Sequence, residues 1–259
     1  MFANERQQKI YEIIKNDGAV TTSKLVEMFN VSLETVRRDL IFMEENGQLV
    51  KVHGGAVARS DMKPYKELNE RNKEFVKEKY ELSLKASEFI CEGDVIAIDS
   101  GSTAISFIRM LKEKFSKLTI VTYCLDVFLE LKNYKDFNVI LCGGHFLREE
   151  NVFYGELALN MLKDIHVSKA FVFTSAISLE YGIFDYQKDI YQMQKQLLKS
   201  ADKVFVLADS SKFEKTGLLK LCDMKTDYIY ITDSLLNKQI LDLYKENDIN
   251  IYMGGKSLS

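Results

Sequence analysis

The pattern of apolar and polar positions along this chain changes character near Ala58. From Leu82 onward, short β-type runs alternate with helical patterns. The expected strands are Val95–Asp99, Leu118–Thr122, Asn138–Cys142, Lys169–Phe173, Lys203–Ala208, Tyr228–Thr232 and Asn250–Met253. Helical spacing between them marks Ala104–Phe115, Asp126–Lys132, Gly155–Lys163, Ile190–Ser200 and Asn237–Glu246. Alternation of this kind predicts an α/β fold whose mainly parallel sheet is covered on both faces. Ligands of such sheets bind at the carboxyl ends of the strands.

Before Ala58 the pattern predicts three helices and a hairpin. Ile10, Ile13 and Ile14 give a first helix from about Asn4 to Lys15 its apolar face, and Gly18 follows its end. Leu25, Val26 and Phe29 face inward from a second helix that begins near Thr22, and Asn30-Val31 makes a tight turn. Ser32 is an N-cap for a third helix, because its hydroxyl can accept a free backbone N–H. Leu33, Val36, Leu40 and Met43 share one face of that helix. This leaves Glu34, Thr35, Arg37 and Arg38 near its exposed N-terminal end, where a recognition helix meets the major groove. Gln48–Val52 followed by His53-Gly54-Gly55-Ala56 has the pattern of a strand and tight turn, a wing.

The three expected units are a winged helix-turn-helix over residues 1–57, a charged linker or helix over 58–80, and an α/β effector domain over 81–259. The segment Arg59 to Lys79 holds the only proline, Pro64, and few apolar residues, among them Leu68, Phe75 and Val76. A plain linker and a lever between domains fit it equally.

Charge sharpens this picture only locally. The whole chain of 259 residues carries a formal −3, and residues 1–57 hold seven Lys and Arg against eight Asp and Glu. Net charge therefore announces no nucleic-acid partner, and position decides. Arg37, Arg38, Lys51 and His53 gather at the proposed DNA face, with Ser32, Glu34, Thr35 and Gly54 beside them, while Glu44 and Glu45 lie at the far end of the helix. Arg and Lys engage phosphates or guanine edges.

Cys91, Cys124, Cys142 and Cys222 form no CxxC pair and suit no zinc spacing, so reduced thiols are expected. A buried thiol is the simplest reading of Cys124, and isolated His145 and His166 suggest neither catalysis nor metal binding. The polar start Met1–Gln7 lacks an apolar signal region, and no uncharged apolar run reaches the ~20 residues of a membrane helix. The expectation is a cytoplasmic protein without a membrane partner, metal or cofactor.

Three loops follow predicted strands in the C-terminal part. Asp99-Ser100-Gly101-Ser102-Thr103 runs into a helix, where hydroxyls, a close-approaching backbone and free N–H groups can bind an anion. A serine-rich turn that only caps the helix is the alternative. Ala208-Asp209-Ser210-Ser211-Lys212-Phe213 can present a carboxylate, hydroxyls and an ammonium, although a surface lysine after a turn fits as well. Gly143-Gly144 would let backbone approach a ligand.

The N-terminal motifs resemble the DeoR family of bacterial repressors. The residues that carry the likeness are Val31–Leu40 with its Thr35-Val36-Arg37-Arg38-Asp39-Leu40 core, Glu44–Leu49, and Val52-His53-Gly54-Gly55-Ala56. Lys51 stands where the family usually has arginine, which keeps the charge but loses the forked geometry. Asp99–Thr103, Gly143-Gly144, Gly155, Lys195 and Asp209–Phe213 extend the resemblance over nearly the whole chain. It implies a DNA reader bound to double-stranded operator DNA as a homodimer or homotetramer, and a sensor with a fold like that of ribose-phosphate isomerases. It also implies a phosphorylated sugar or related metabolite as effector, derepression on effector binding, and no enzymatic role. Ser100, Gly101, Ser102 and Thr103 would hold the phosphate, with Asp99, Asp209 and Lys212 at the polar part. The chain departs from the family at Thr122-Tyr123-Cys124-Leu125 and Phe173-Thr174-Ser175-Ala176-Ile177. Bulky Tyr123 and Phe173, with glycine absent at 173 and 176, would narrow the pocket, change its specificity or abolish binding. The rival readings are a sugar-phosphate isomerase with an appended reader and a DNA-binding protein that no ligand controls.

Overall fold

The computed structural model of the chain describes residues 2–46, 48–52, 54–57 and 68–255. The N-terminal head is built from α1 (Ala3–Asp17), β1 (Ala19–Thr21), α2 (Thr22–Phe29), α3 (Leu33–Glu45), β2 (Val50–Val52) and β3 (Gly55–Val57). Both α2 and α3 start at side-chain caps. Thr21 accepts from the Lys24 amide at 3.2 Å and Ser32 from the Thr35 amide at 3.1 Å. Asn30, left-handed at φ 49, ends α2 and sets the turn into α3. The apolar faces meet in a core of Ile10, Ile14, Leu25, Val36, Leu40 and Met43, which Leu49 and Ala56 close from the hairpin side. Each such side chain contributes about 1.5–3 kcal/mol on full burial. The three strands pair antiparallel in the order β1-β3-β2. A Cβ on Gly55 would fall 2.2 Å from the Val20 carbonyl oxygen, so only glycine allows β3 this close to β1. The sequence pattern missed β1, whose three residues are too few to show a period.

Two helices follow, α4 (Leu68–Lys73) and α5 (Val76–Ser87). The charged segment is therefore helical over much of its described part, while Pro64 lies outside the described residues. Leu68 and Lys79 are buried, and α5 packs on the next helix of the sensor. It runs through the boundary expected at residue 80, because Lys79, Leu82, Ser83 and Ala86 form one buried stripe.

The sensor continues with β4 (Val95–Ile98), α6 (Ser102–Lys114), β5 (Leu118–Thr122), α7 (Leu125–Leu131), β6 (Phe137–Leu141), β7 (His145–Leu147), β8 (Val152–Tyr154), α8 (Glu156–Lys163) and β9 (Val167–Phe173). Then come β10 (Ala176–Ser178), β11 (Gly182–Asp185), α9 (Tyr191–Leu197), β12 (Ala201–Leu207), β13 (Leu219–Cys222), β14 (Ile229–Thr232), α10 (Lys238–Glu246) and β15 (Asn250–Met253). Seven of these strands form one sheet in the order β15-β14-β12-β9-β4-β5-β6, every pair parallel. They are the strands expected from the pattern, with ends displaced by one or two residues. The short hairpin β7–β8 and the antiparallel sheet β10-β11-β13 were not visible in it.

Strand order locates the site. From β4 the chain builds outward to β5 and β6 on one side, then crosses to β9, β12, β14 and β15 on the other. The switch point lies between β4 and β9, and such crevices bind ligands. The loops after β4, β9 and β12 are therefore neighbours. β6 is an edge strand two places from β4, so the Gly143-Gly144 loop that follows it stands apart.

Candidate functional site

On the head, Arg37 and Arg38 are exposed on α3, and Arg38 pairs with Glu34 one turn earlier at 3.4 Å. Ser32 caps the helix, and its hydroxyl lies 2.8 Å from that of Thr35. Gly54 is exposed at φ 84, and its carbonyl accepts from the amide and hydroxyl of Thr22 at 2.8 and 3.0 Å. The wing is thereby tied to the start of α2. The Lys51 backbone amide donates to Glu44 Oε1 at 2.7 Å, which joins wing to recognition helix. His53 lies outside the described residues. Beneath this face Asp39 is buried in α3, bound by the Arg6 guanidinium and by the Gln7 amide at 2.9 Å, both from α1. A buried pair of this kind fixes α3 against α1, and leaving one partner behind is costly.

In the sensor, Asp99 and Ser100 follow β4. Gly101 at φ 113 then turns the chain into α6, whose N-terminus faces the crevice. An inner cleft of about 30 Å³ is lined by Ser100–Thr103, Arg71, Glu150, Phe173–Ser175, Asp185, Ile190, Gln194 and Lys212. It shares Arg71, Ser102, Ser175 and Lys212 with an outer cavity of about 240 Å³ that Phe75, Lys79, Tyr186 and Asp209 also bound. A larger groove of about 370 Å³ between α4, α5 and α6 shares only Lys79 and Ser102 with it and lacks the loops after β9 and β12.

Three cations converge here. The Lys212 ammonium donates to the Thr174 carbonyl at 2.9 Å and lies 3.6 Å from Asp209. The Lys79 ammonium is spent on main-chain carbonyls of Arg71 and, at 2.6 Å, Glu74. Burial first, then the neighbouring Lys212 and Arg71 charges, push its pKa down to about 8 against the pull of Asp209. Arg71 pairs with Glu150, whose other oxygen accepts from the Gln187 amide at 3.1 Å. The Arg71 guanidinium is 3.9 Å from where a Cβ would stand on Gly101. A lysine depressed mainly by burial, with Lys212 and Arg71 beside it at a helix N-terminus, is a group whose charged form an anion would favour.

Asp99 plays another part. It is fully buried and takes four donors: the Tyr123 hydroxyl, the Ser100 amide at 2.7 Å, the Phe173 amide at 3.0 Å and the Gln194 amide at 3.2 Å. Burial still raises its pKa to about 6. Its oxygens tie β4, β5, β9 and α9 together and do not line the cleft. Two polar atoms that do belong to cleft residues, Ser100 Oγ and Gln194 Oε1, are buried with no hydrogen-bond partner among the described residues. Unpaired buried acceptors and hydroxyls are costly, and a ligand's hydroxyl groups would satisfy them.

Of the residues expected from sequence, Ser100, Gly101, Ser102, Thr103, Asp209 and Lys212 meet at the cavities, and Asp99 stands behind them. Gly143 and Gly144 line neither. A Cβ on Gly144 would fall 2.4 Å from the Tyr154 carbonyl oxygen, so its smallness serves the approach of β8. Arg71, Lys79, Glu150, Asp185 and Gln194 were missed. The one available signal was Lys79, a lysine on the stripe that continues through Leu82, Ser83 and Ala86.

Cys124 and His166 stay outside this chemistry. Burial raises the Cys124 thiol to about 12, far from a reactive thiolate. His166 is exposed beside Asp202 at 2.8 Å. Among the described residues no cluster of His, Cys, Asp and Glu could hold a metal ion, and no helix is long and apolar enough to cross a membrane.

Comparison with known proteins agrees with both halves. The DeoR-like helix-turn-helix domain matches residues 6–61, and the DeoR C-terminal sensor domain matches residues 74–234. The lactose phosphotransferase system repressor of Staphylococcus epidermidis is 33% identical over 93% of this chain and 97% of its own. Its namesake in Lactococcus lactis subsp. lactis is 31% identical over 95% and 97%. The HTH-type transcriptional regulator IolR of Bacillus subtilis is 30% identical over 96% and 98%. The ribose 5-phosphate isomerase A of Neisseria gonorrhoeae aligns at 20% identity over 52% of each chain with a TM-score of 0.39, too distant to argue from. With both family domains in order and relatives matched from end to end, the chain belongs to the DeoR family of helix-turn-helix transcriptional regulators.

Proposed function

We propose that this regulator represses a sugar-metabolism operon: it binds double-stranded operator DNA as a homodimer or homotetramer and is released by a small phosphorylated sugar or related metabolite. The observation that carries the sensing half is the convergence of Lys79, Lys212 and Arg71 on the N-terminus of α6. The ester phosphate occupies the outer cavity, and the polyol end reaches the unpaired Ser100 and Gln194 atoms of the inner cleft. Ser32, Thr35, Arg37, Arg38, Lys51 and Gly54 make the DNA face, together with Glu34, which orients Arg38. Names of relatives support the repressor role, since two of those matched are lactose phosphotransferase system repressors.

A catalytic role is disfavoured by the spent carboxylates. Asp99 already accepts four hydrogen bonds, and Asp209 is engaged by Ser211 and Lys212. Neither is a free general base within reach of a substrate. The narrow inner cleft favours a ligand shorter than a hexose phosphate, or one that displaces the Arg71–Glu150 pair. Calorimetric titration with triose to hexose phosphates is expected to give heat with one of them, and the same compound should release the protein from its operator in a gel shift. No heat and no release with any member would leave a DNA-binding protein without ligand control.

A further inference from the structure

The wall of the outer cavity also touches the reading head. Tyr186 follows β11 and lines the cavity beside Lys79, Asp209 and Lys212. Its hydroxyl lies 2.6 Å from the carbonyl oxygen of Asp17, the last residue of α1, and 3.2 Å from that of Thr216 in the sensor. A phenol has one proton to donate, and the shorter contact is the one to the head. The ring packs 3.4 Å from where a Cβ would stand on Gly18, the left-handed residue that terminates α1. Tyr186 thus meets α1 at the two residues where that helix stops.

The same residue is anchored in the inner cleft. Its amide donates to Asp185 Oδ1 at 2.6 Å, and that carboxylate also holds the Ser175 hydroxyl at 3.1 Å and the Gln194 amide at 3.0 Å. On the head side, α1 carries Arg6, which grips Asp39 of the recognition helix. The chain of contacts runs without a gap from cleft to carboxylate, phenol, α1 and α3. A second approach lies nearby, since the Glu27 carboxylate of α2 is among the charges that act on the Tyr181 phenol in the β10–β11 turn.

We propose that Tyr186 is a positioning residue for operator reading: its phenol, hydrogen-bonded to Asp17, sets the orientation of the head from the wall of the outer cavity. This rests on the operator-binding reading and adds the element that carries the sensor's state to the head. Paired heads must present their recognition helices at the spacing of two half-sites, so orientation matters for the specific complex and little for non-specific phosphate contact.

The test compares the full wild-type chain with Tyr186→Phe, which keeps the ring against Gly18 and removes only the hydroxyl. Both are titrated with a two-half-site duplex selected by the wild-type chain from random DNA and with an unselected duplex, at one salt concentration, and melted in parallel. The expected result is about a three- to tenfold loss on the selected duplex, the range that one hydrogen bond is worth, with unselected binding and melting temperature unchanged. Equal or tighter binding to the selected duplex would overturn the proposal. So would a parallel loss on both duplexes with a lowered melting temperature, which marks a merely structural contact. A wild-type chain that selects no duplex would strike the repressor reading itself, a result told apart by its appearance before any variant is made.

Discussion

In the function proposed above, the head and the sensor both set basic side chains against phosphate, and the structure holds those side chains in opposite ways. The Arg38 side chain is 79% exposed, whereas Lys79 retains 5% of its surface. An exposed arginine costs nothing to keep charged, and its contribution on DNA comes from released counterions, so it is tuned by salt. A buried lysine among other cations is already depressed, and its contribution is tuned by protons. On that proposal, one kind of charge is expected to give a salt-sensitive reader and a pH-sensitive sensor within one chain.

The strongest break of this comparison removes the head's buried pair. Asp39→Ala leaves the Arg6 guanidinium in the core without the carboxylate that binds it. Such a loss costs about 3–5 kcal/mol, enough to unfold a domain with so small a core. Scanning calorimetry is expected to show the sensor melting as before while the head transition and operator binding vanish. A single transition at a lowered temperature would mean the two units are not energetically separable, and an unshifted one would mean the pair contributes nothing to stability.

Next in size is Lys79→Met, which keeps the stem and removes the charge. A charge-assisted hydrogen bond is worth about 1.5–3 kcal/mol, so effector affinity should fall roughly tenfold to a hundredfold by calorimetry, with ligand-free operator affinity intact. Unchanged affinity would move the anion away from the outer cavity. Arg37→Ala and Arg38→Ala come third, at about 1–3 kcal/mol with relaxed base preference if either contacts a guanine edge. If instead the contact is to phosphate, binding weakens on all sequences and the salt slope drops by about one. Filter binding at several salt concentrations separates the two, and no effect from either would displace α3 from the groove.

The sequence made the reader more legible than the sensor, and the reason is distance along the chain. Ser32, Thr35, Arg37 and Arg38 lie within one helix, so period and cap suffice to place them. The cavities draw Arg71 and Lys79 from before the sheet, Ser102 from the start of α6, Glu150 from beyond β7, and Lys212 from after β12. Only strand order brings these together, and alternation of strands and helices does not specify order. Gly143-Gly144 shows the same limit in reverse: the local pattern matched Asp99–Thr103, but β6 lies at the sheet edge. Asp99 was expected at the polar part of the ligand from the family resemblance. Its role as a tie depends on Tyr123, Phe173 and Gln194, which are local neighbours only in three dimensions.

The smallest effect tests the sensor's half of the comparison most directly. Without ligand, the Lys79 ammonium loses its proton near pH 8, mainly because burial disfavours the charged form. A bound phosphate favours that form and raises the pKa again. Between the two pKa values the complex therefore holds a proton that the free protein has released, and binding takes one up. By linkage, affinity weakens as pH rises through 8, by at most about one decade per pH unit. The ligand's own titration does not interfere, because a phosphate ester's second pKa is about 6 and it stays dianionic throughout. Calorimetry from pH 7 to 9 in buffers of different ionisation heat reads the uptake directly, and Lys79→Met should abolish it. Flat affinity across this range in the wild type would mean that Lys79 stands outside the anion's field. Operator binding by Arg37 and Arg38 should meanwhile stay constant over the same range at fixed salt, since guanidinium groups keep their charge.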